Sequence, residues 1–144
     1  MAKLHVTPDS IKLECTDGKI IELNHFQEVG PLCWGYFWYR LHDKYGYMDE
    51  EGSIICEPIY LSAGNFDITL HAPVESSTGK GFINRSGTET CRLIYEEVWW
   101  YNNGYAKVMR DGNIYYLDRI GCEQQLPYAQ KMWDAPRDKH MIYY

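Results

Sequence analysis

Three segments of this chain end in glycine at a nearly constant interval. They run from Lys44 to Gly52, from Gly79 to Gly87 and from Asn113 to Gly121, so the closing glycines stand 35 and then 34 residues apart. A fixed period in this range is the signature of a repeat architecture, in which each unit is one supersecondary element that cannot bury its apolar surface alone. The period therefore constrains the fold before any single residue does. It also changes how individual residues are read, because a residue that recurs in phase is explained first by the scaffold.

Counting back from each closing glycine assigns a role to every slot. Three residues before it stand Asp49, Asn84 and Asp118. An Asx side chain in that place accepts a hydrogen bond from a backbone N–H two residues on, closing a turn that the glycine completes at positive φ. Four residues before the glycine come Met48, Ile83 and Leu117, and five before it Tyr47, Phe82 and Tyr116. Neighbours on a strand point to opposite faces, so both faces of this strand are expected to be covered. The slot before these holds Gly46 and Gly81, with Tyr115 as the exception. A strand glycine there predicts a close backbone approach or a facing ring.

Past the glycine, Ile54–Cys56 and Thr88–Cys91 are expected as a further strand, and eight residues past it come Tyr60 and Tyr95. Gly104 opens the strand 105–109, and the pair Asp111–Gly112 between apolar runs is a strong hairpin signal. Each unit thus reads as strand, tight turn, strand, Asx/Gly turn, strand and a longer link. A weaker copy surrounds Gly18, with Phe26 in the slot of Tyr60 and Tyr95. The units are expected at about 3–34, 35–67, 68–103 and 104–139, with a terminal strand at 140–144, all within one domain. The fold class is all-β: about four three-stranded antiparallel meanders in a curved, solenoid- or propeller-like array, its terminal units atypical because they cap it. Segments 96–101 and 127–138 are the expected short helices or irregular links.

The run Lys44-Tyr45-Gly46-Tyr47-Met48-Asp49, closed by Gly52 and followed by Ile54-Ile55 and Pro58-Ile59-Tyr60, resembles the bacterial WG β-repeat. So does Gly104-Tyr105-Ala106-Lys107-Val108 leading into the next hairpin. The resemblance covers roughly residues 3–130 as about four degenerate units. No unit has the signature Trp-Gly in place, and Trp34-Gly35 falls out of phase, in the first strand of its unit. That family is defined by a scaffold, so the resemblance implies an all-β fold and little chemistry.

Composition excludes several function classes. The 144 residues are 45% hydrophobic and 24% charged, with 13 tyrosines and a net charge of −6. A nucleic-acid or anionic-membrane binder needs a basic patch, so neither partner is expected. No apolar run reaches the roughly 20 residues of a membrane span, and the N-terminus lacks the apolar core of a signal peptide. Five cysteines without a C-x-x-C spacing fit a reducing, cytoplasmic compartment and make Cys56 and Cys91 small apolar residues of one repeat slot. The five histidines show no ligand spacing, and neither a metal nor a cofactor is expected. No nucleophile elbow or phosphate loop is present, and Asp49-Glu50-Glu51 is answered one unit later by Asn84-Arg85-Ser86, which argues against repeated carboxylate chemistry.

What exceeds the repeat is aromatic. The candidate binding residues are Trp34, Trp38, Tyr39, Arg40 and His42 in one stretch and Trp99, Trp100 and Tyr101 in another. Tryptophan and tyrosine clusters are the material of protein interfaces. The competing reading is that these rings fill the space between meanders. The expected function is a non-enzymatic protein–protein interaction module of bacterial type, an immunity or regulatory partner of another, basic protein. The alternative is a small-ligand protein holding a nucleotide or sugar in an aromatic-lined cleft between repeats. The oligomeric state is not legible.

Overall fold

A computed structural model of the chain describes residues 1–125 and 127–136. The expected terminal strand at 140–144, with Met141-Ile142-Tyr143, lies outside the described residues. The elements are strands β1 (Lys3–Thr7), β2 (Ser10–Glu14), β3 (Ile20–Glu22), β4 (Glu28–Val29), β5 (Tyr36–Leu41), β6 (Lys44–Asp49), β7 (Ile54–Tyr60), β8 (Ser62–Ala63), β9 (His71–Ser76), β10 (Gly79–Asn84), β11 (Glu97–Asn102), β12 (Tyr105–Arg110), β13 (Asn113–Leu117) and β14 (Glu123–Gln124), and helix α1 (Pro127–Asp134). They form four antiparallel sheets, ordered β1-β2-β3, β4-β5-β6-β7, β10-β9-β8 and β11-β12-β13-β14. The chain is all-β with one short helix, and among the described residues no sheet closes on itself.

The Asx/Gly turn forms as its sequence dictates. Asp49 Oδ1 accepts from the N–H groups of Glu51 and Ser53 at 3.0 and 2.9 Å. Asn84 takes Ser86 and Thr88 at 2.9 and 3.1 Å, and Asp118 takes Ile120 and Cys122 at 3.1 and 2.9 Å. In each case the closing glycine donates back to the Asx carbonyl, at 2.9–3.1 Å. The weak first copy keeps that backbone bond, Gly18 N–H to Cys15 O at 3.0 Å, while Asp17 supplies a side-chain acceptor to Lys19 N–H at 2.9 Å.

Gly18, Gly52, Gly87 and Gly121 all have φ between 80 and 88°. Three of them have a second constraint. A Cβ on Gly87 would stand 1.9 Å from the carbonyl oxygen of Ile55, and one on Gly121 1.9 Å from that of Thr90. On Gly52 it would meet the δ-methyl of Ile21 at 2.3 Å, and on Gly18 it would meet nothing within 4 Å. Each later turn is thus pressed onto the segment that follows the preceding unit's turn. The closing glycine marks the point where successive units touch.

The cores lie between the sheets. Leu13, Leu23, Phe26, Phe37, Tyr39 and Met48 pack the first sheet to the second, and Tyr47, Cys56, Tyr60, Phe66, Ala72, Val74, Ile83 and Leu93 the second to the third. Phe82, Tyr95, Tyr101, Ala106, Val108 and Leu117 pack the third to the fourth. Neighbouring residues of the middle strands do feed opposite cores: Met48 and Tyr47 in β6, Ile83 and Phe82 in β10. Phe26, Tyr60 and Tyr95, the residues eight past a closing glycine, are all buried. Gly46 meets both expected neighbours, since a Cβ there would lie 2.5 Å from the Cys56 carbonyl and 2.7 Å from the Tyr39 ring.

The two ends of the stack differ. Register places Lys3, His5, Lys12, Glu14 and Glu22, with Ile20 among them, on one face of the first sheet, and Leu4, Leu13 and Ile21 on the other. The polar face turns away from the core, with His5 and Glu14 joined at 3.0 Å. The fourth sheet instead receives α1 on its far side, where Ala129 is fully buried and Trp133 packs on Tyr116.

Three expectations are corrected. Segment 96–101 is neither helix nor irregular link; most of it forms β11, whereas α1 does fall within 127–138. The longer links also contain short strands, β4, β8 and β11, each beginning ten residues past a closing glycine and pairing with the next sheet. Thr88–Cys91 does not form a strand. Only Ile83 bridges Glu89 there, because the chain turns inward to bury Leu93, whose side chain fills the space over Gly81.

Candidate functional site

Trp34 and Gly35 sit at φ 55 and 88° in the tight turn that precedes β5, outside the strand expected for them. Asn103-Gly104 and Asp111-Gly112 form tight turns of the same positive-φ kind. Trp34 is 59% exposed at that turn. On β5 the residues then alternate. Trp38 is partly buried, its indole N–H donating to Asn65 Oδ1 at 3.1 Å and its ring edge-on to Tyr45. Tyr39 is 1% exposed, stacked on Phe26 and donating to the Cys56 carbonyl. Burial pushes its phenol up to about 12. Arg40 lies 3.4 Å from Glu28 and 3.6 Å from Asp43, so its charge is answered within the chain. His42 is exposed at the tip of the β5–β6 hairpin, at φ 52°. These five residues do not converge on one surface site.

The second stretch is organised by a bulge. Val98 pairs with Val108 and Tyr101 with Ala106, so Trp99 and Trp100 together oppose the single residue Lys107. Such an extra residue disrupts the ladder locally and re-aims side chains. The ammonium of Lys107 stands 4.9 Å from the centroid of Trp99 and 5.1 Å from that of Trp133, held between two electron-rich faces. Trp133 comes from α1, packs on Trp100 at 5.4 Å and donates its indole N–H to the Trp100 carbonyl at 2.8 Å. Trp100 remains 52% exposed. Tyr101 points the other way, 1% exposed in the core and donating to the Asp118 carbonyl.

The helix is tied to this sheet by its C-terminal carbonyls, which a helix leaves without internal partners. Asn102 donates to Trp133 and Ala135, and Asn103 to Met132, Ala135 and Pro136. A cleft of about 370 Å³ opens where α1 meets the fourth sheet, lined by Tyr105, Asp118, Arg119, Tyr128 and Met132 among others. Sequence reasoning missed Lys107, Trp133 and the asparagine pair. The available signal was the polar pair Asn102-Asn103 beside three aromatic residues.

Burial raises the thiols of Cys15, Cys56 and Cys91, the last to about 11, which disfavours the nucleophilic thiolate. Ligand atoms of Cys15, Asp17 and Glu51 fall within 4.8 Å of one another. Asp17 is already bound to its own turn, and Glu51 accepts from the hydroxyl of Thr16. Thr69 and His71 are buried beside Asp67, with the threonine hydroxyl donating to the carboxylate. No helix of the described residues is long and apolar enough to cross a membrane.

No curated protein and no solved structure matches this chain significantly. The family model described as WG containing repeat matches it twice, at residues 45–67 and 81–113. The first match runs from β6 through β8 and the second from β10 to the β12–β13 turn, each containing an Asx/Gly turn and the residue, Ile55 or Thr90, that the next unit's closing glycine touches. With the repeated turns and the alternating cores, these two matches make residues 45–67 and 81–113 two copies consistent with a WG repeat family.

Proposed function

We propose that this chain is a non-enzymatic interaction module of bacterial, cytoplasmic type, an open curved array of sheets that binds another protein through the far side of its fourth sheet and α1. The observation that carries this reading is the β11 bulge, which sets Trp99 and Trp100 against Lys107 and Trp133 and leaves Trp100 half exposed. Large aromatic residues with a cation among them are the composition of interface anchors. The net charge of −6 favours a basic partner in an immunity or regulatory pairing.

The test is co-purification from the native host with wild type, Trp100→Ala and Trp34→Ala. A partner that is retained by Trp34→Ala and lost by Trp100→Ala supports the reading. Retention or loss by both variants contradicts it. The cleft beside Tyr105 and Tyr128 favours a second reading, a nucleotide or sugar ligand held against aromatic rings and Arg119. That cleft lies between sheet and helix, not between repeats. Stabilisation in a thermal-shift screen, lost on Tyr128→Ala, supports it; no shift with any nucleotide or sugar overturns it.

A further inference from the structure

Ring contacts at equivalent positions join the units twice, with different rings on both sides. Tyr36, the first residue of β5, packs on Phe66 at 4.7 Å. One unit on, His71, the first residue of β9, stacks on Tyr101 of the fourth sheet at 4.0 Å and 18° between planes. His71 is 4% exposed. The Thr69 hydroxyl donates to Asp67 Oδ1, which leaves its oxygen to accept from Nδ1 of His71 at 3.3 Å. The intervening Leu70 is held at φ 60°, a costly conformation for a bulky residue. The loop that presents His71 is therefore strained as well as hydrogen-bonded.

We propose that His71 makes the contact between the third and fourth sheets an acid-sensitive latch: its protonation releases the fourth sheet and α1 while the contact between the second and third sheets holds.

The groups facing the imidazole come from both sides of this contact. Asp67 on its own loop favours the cation, as does a hydrogen bond to the Thr69 backbone; Arg119 from the last Asx turn opposes it, and Tyr101 covers the ring. Burial outweighs the carboxylate and holds the imidazole below its ordinary value of 6.5. The sign follows. Above pH 6.5 the imidazole is neutral whether the contact is closed or open, so stability is unaffected. Below it the open form takes up a proton that the closed form resists, and the contact weakens progressively down to the closed-state value. Histidine is the one side chain whose ordinary charge change falls between pH 5 and 8, so the tyrosine in the equivalent slot of the second sheet confers no such sensitivity. The aromatic surface on the fourth sheet would be released with it, but the latch does not depend on what that surface binds.

Hydrogen exchange corrected for intrinsic rates, followed at pH 7.5 and pH 5.0, tests this on the whole chain. Amides of β12 and β13 should lose protection on acidification, while those of β5 and β6 change little. His71→Phe should abolish the difference between the two regions. Equal loss in both regions, no loss, or an undiminished difference in His71→Phe would overturn the proposal. Should that variant fail to fold, an NMR titration of His71 in the wild type decides: titration below 6.5 supports the latch and titration at or above it refutes it.

Discussion

The first Asx/Gly turn and the later ones share a backbone and differ in their surroundings. Gly18 and Gly87 both adopt left-handed φ and both donate back to the residue three before them. Gly18 faces open space, whereas Gly87 lies against the Ile55 carbonyl of the preceding unit. Two reasons for a glycine are separated here that coincide in the later closing glycines, Gly52, Gly87 and Gly121. Turn conformation requires it in every unit; stacking requires it only where a unit has a predecessor. The 34–35-residue period therefore measures the contact between neighbours as well as the length of one unit.

Substitutions can break this distinction or sharpen it. Gly121→Ala should be the most damaging, about 3 kcal/mol or more, because a left-handed non-glycine residue is combined with a clash against fixed backbone. Denaturant unfolding measures it, and a loss of only about 1 kcal/mol would remove the stacking role. Gly52→Ala should cost about 2 kcal/mol, since the δ-methyl of Ile21 can turn aside where a carbonyl cannot. Ile21→Val should relieve part of that loss in a double-mutant cycle. Asn84→Ala leaves the N–H groups of Ser86 and Thr88 without their acceptor, at about 1–2 kcal/mol. Trp100→Ala should be the mildest, within about 0.5 kcal/mol, because the side chain is half exposed and away from the cores. A much larger loss would make Trp100 part of the scaffold.

Local rules made the turns and the alternation legible. An Asx three residues before a glycine, and an Asp-Gly pair between apolar runs, specify their hydrogen bonds within a few residues, and the structure has them. Both-face burial at Tyr47/Met48 and Phe82/Ile83 followed from strand geometry. The short strands β4 and β8 were not legible, since two-residue segments such as Glu28-Val29 and Ser62-Ala63 form only by pairing on an existing sheet edge. Nor was the lost strand at Thr88–Cys91, where burial of Leu93 outweighed the ladder. The bulge at Trp99-Trp100 depends on register against β12, which no local pattern encodes. Adjacent aromatic residues indicated where the repeat was broken, but their side-by-side sequence could not say that Tyr39 and Tyr101 turn inward while Trp100 stays out.

The central claim is that the closing glycine serves the turn everywhere and the stacking only in later units. Equilibrium unfolding of Gly18→Ala and Gly87→Ala under identical conditions tests it most directly. Gly18→Ala should lose about 1 kcal/mol, the cost of left-handed backbone alone, and Gly87→Ala at least about 2 kcal/mol more. Equal losses from the two substitutions would contradict the account.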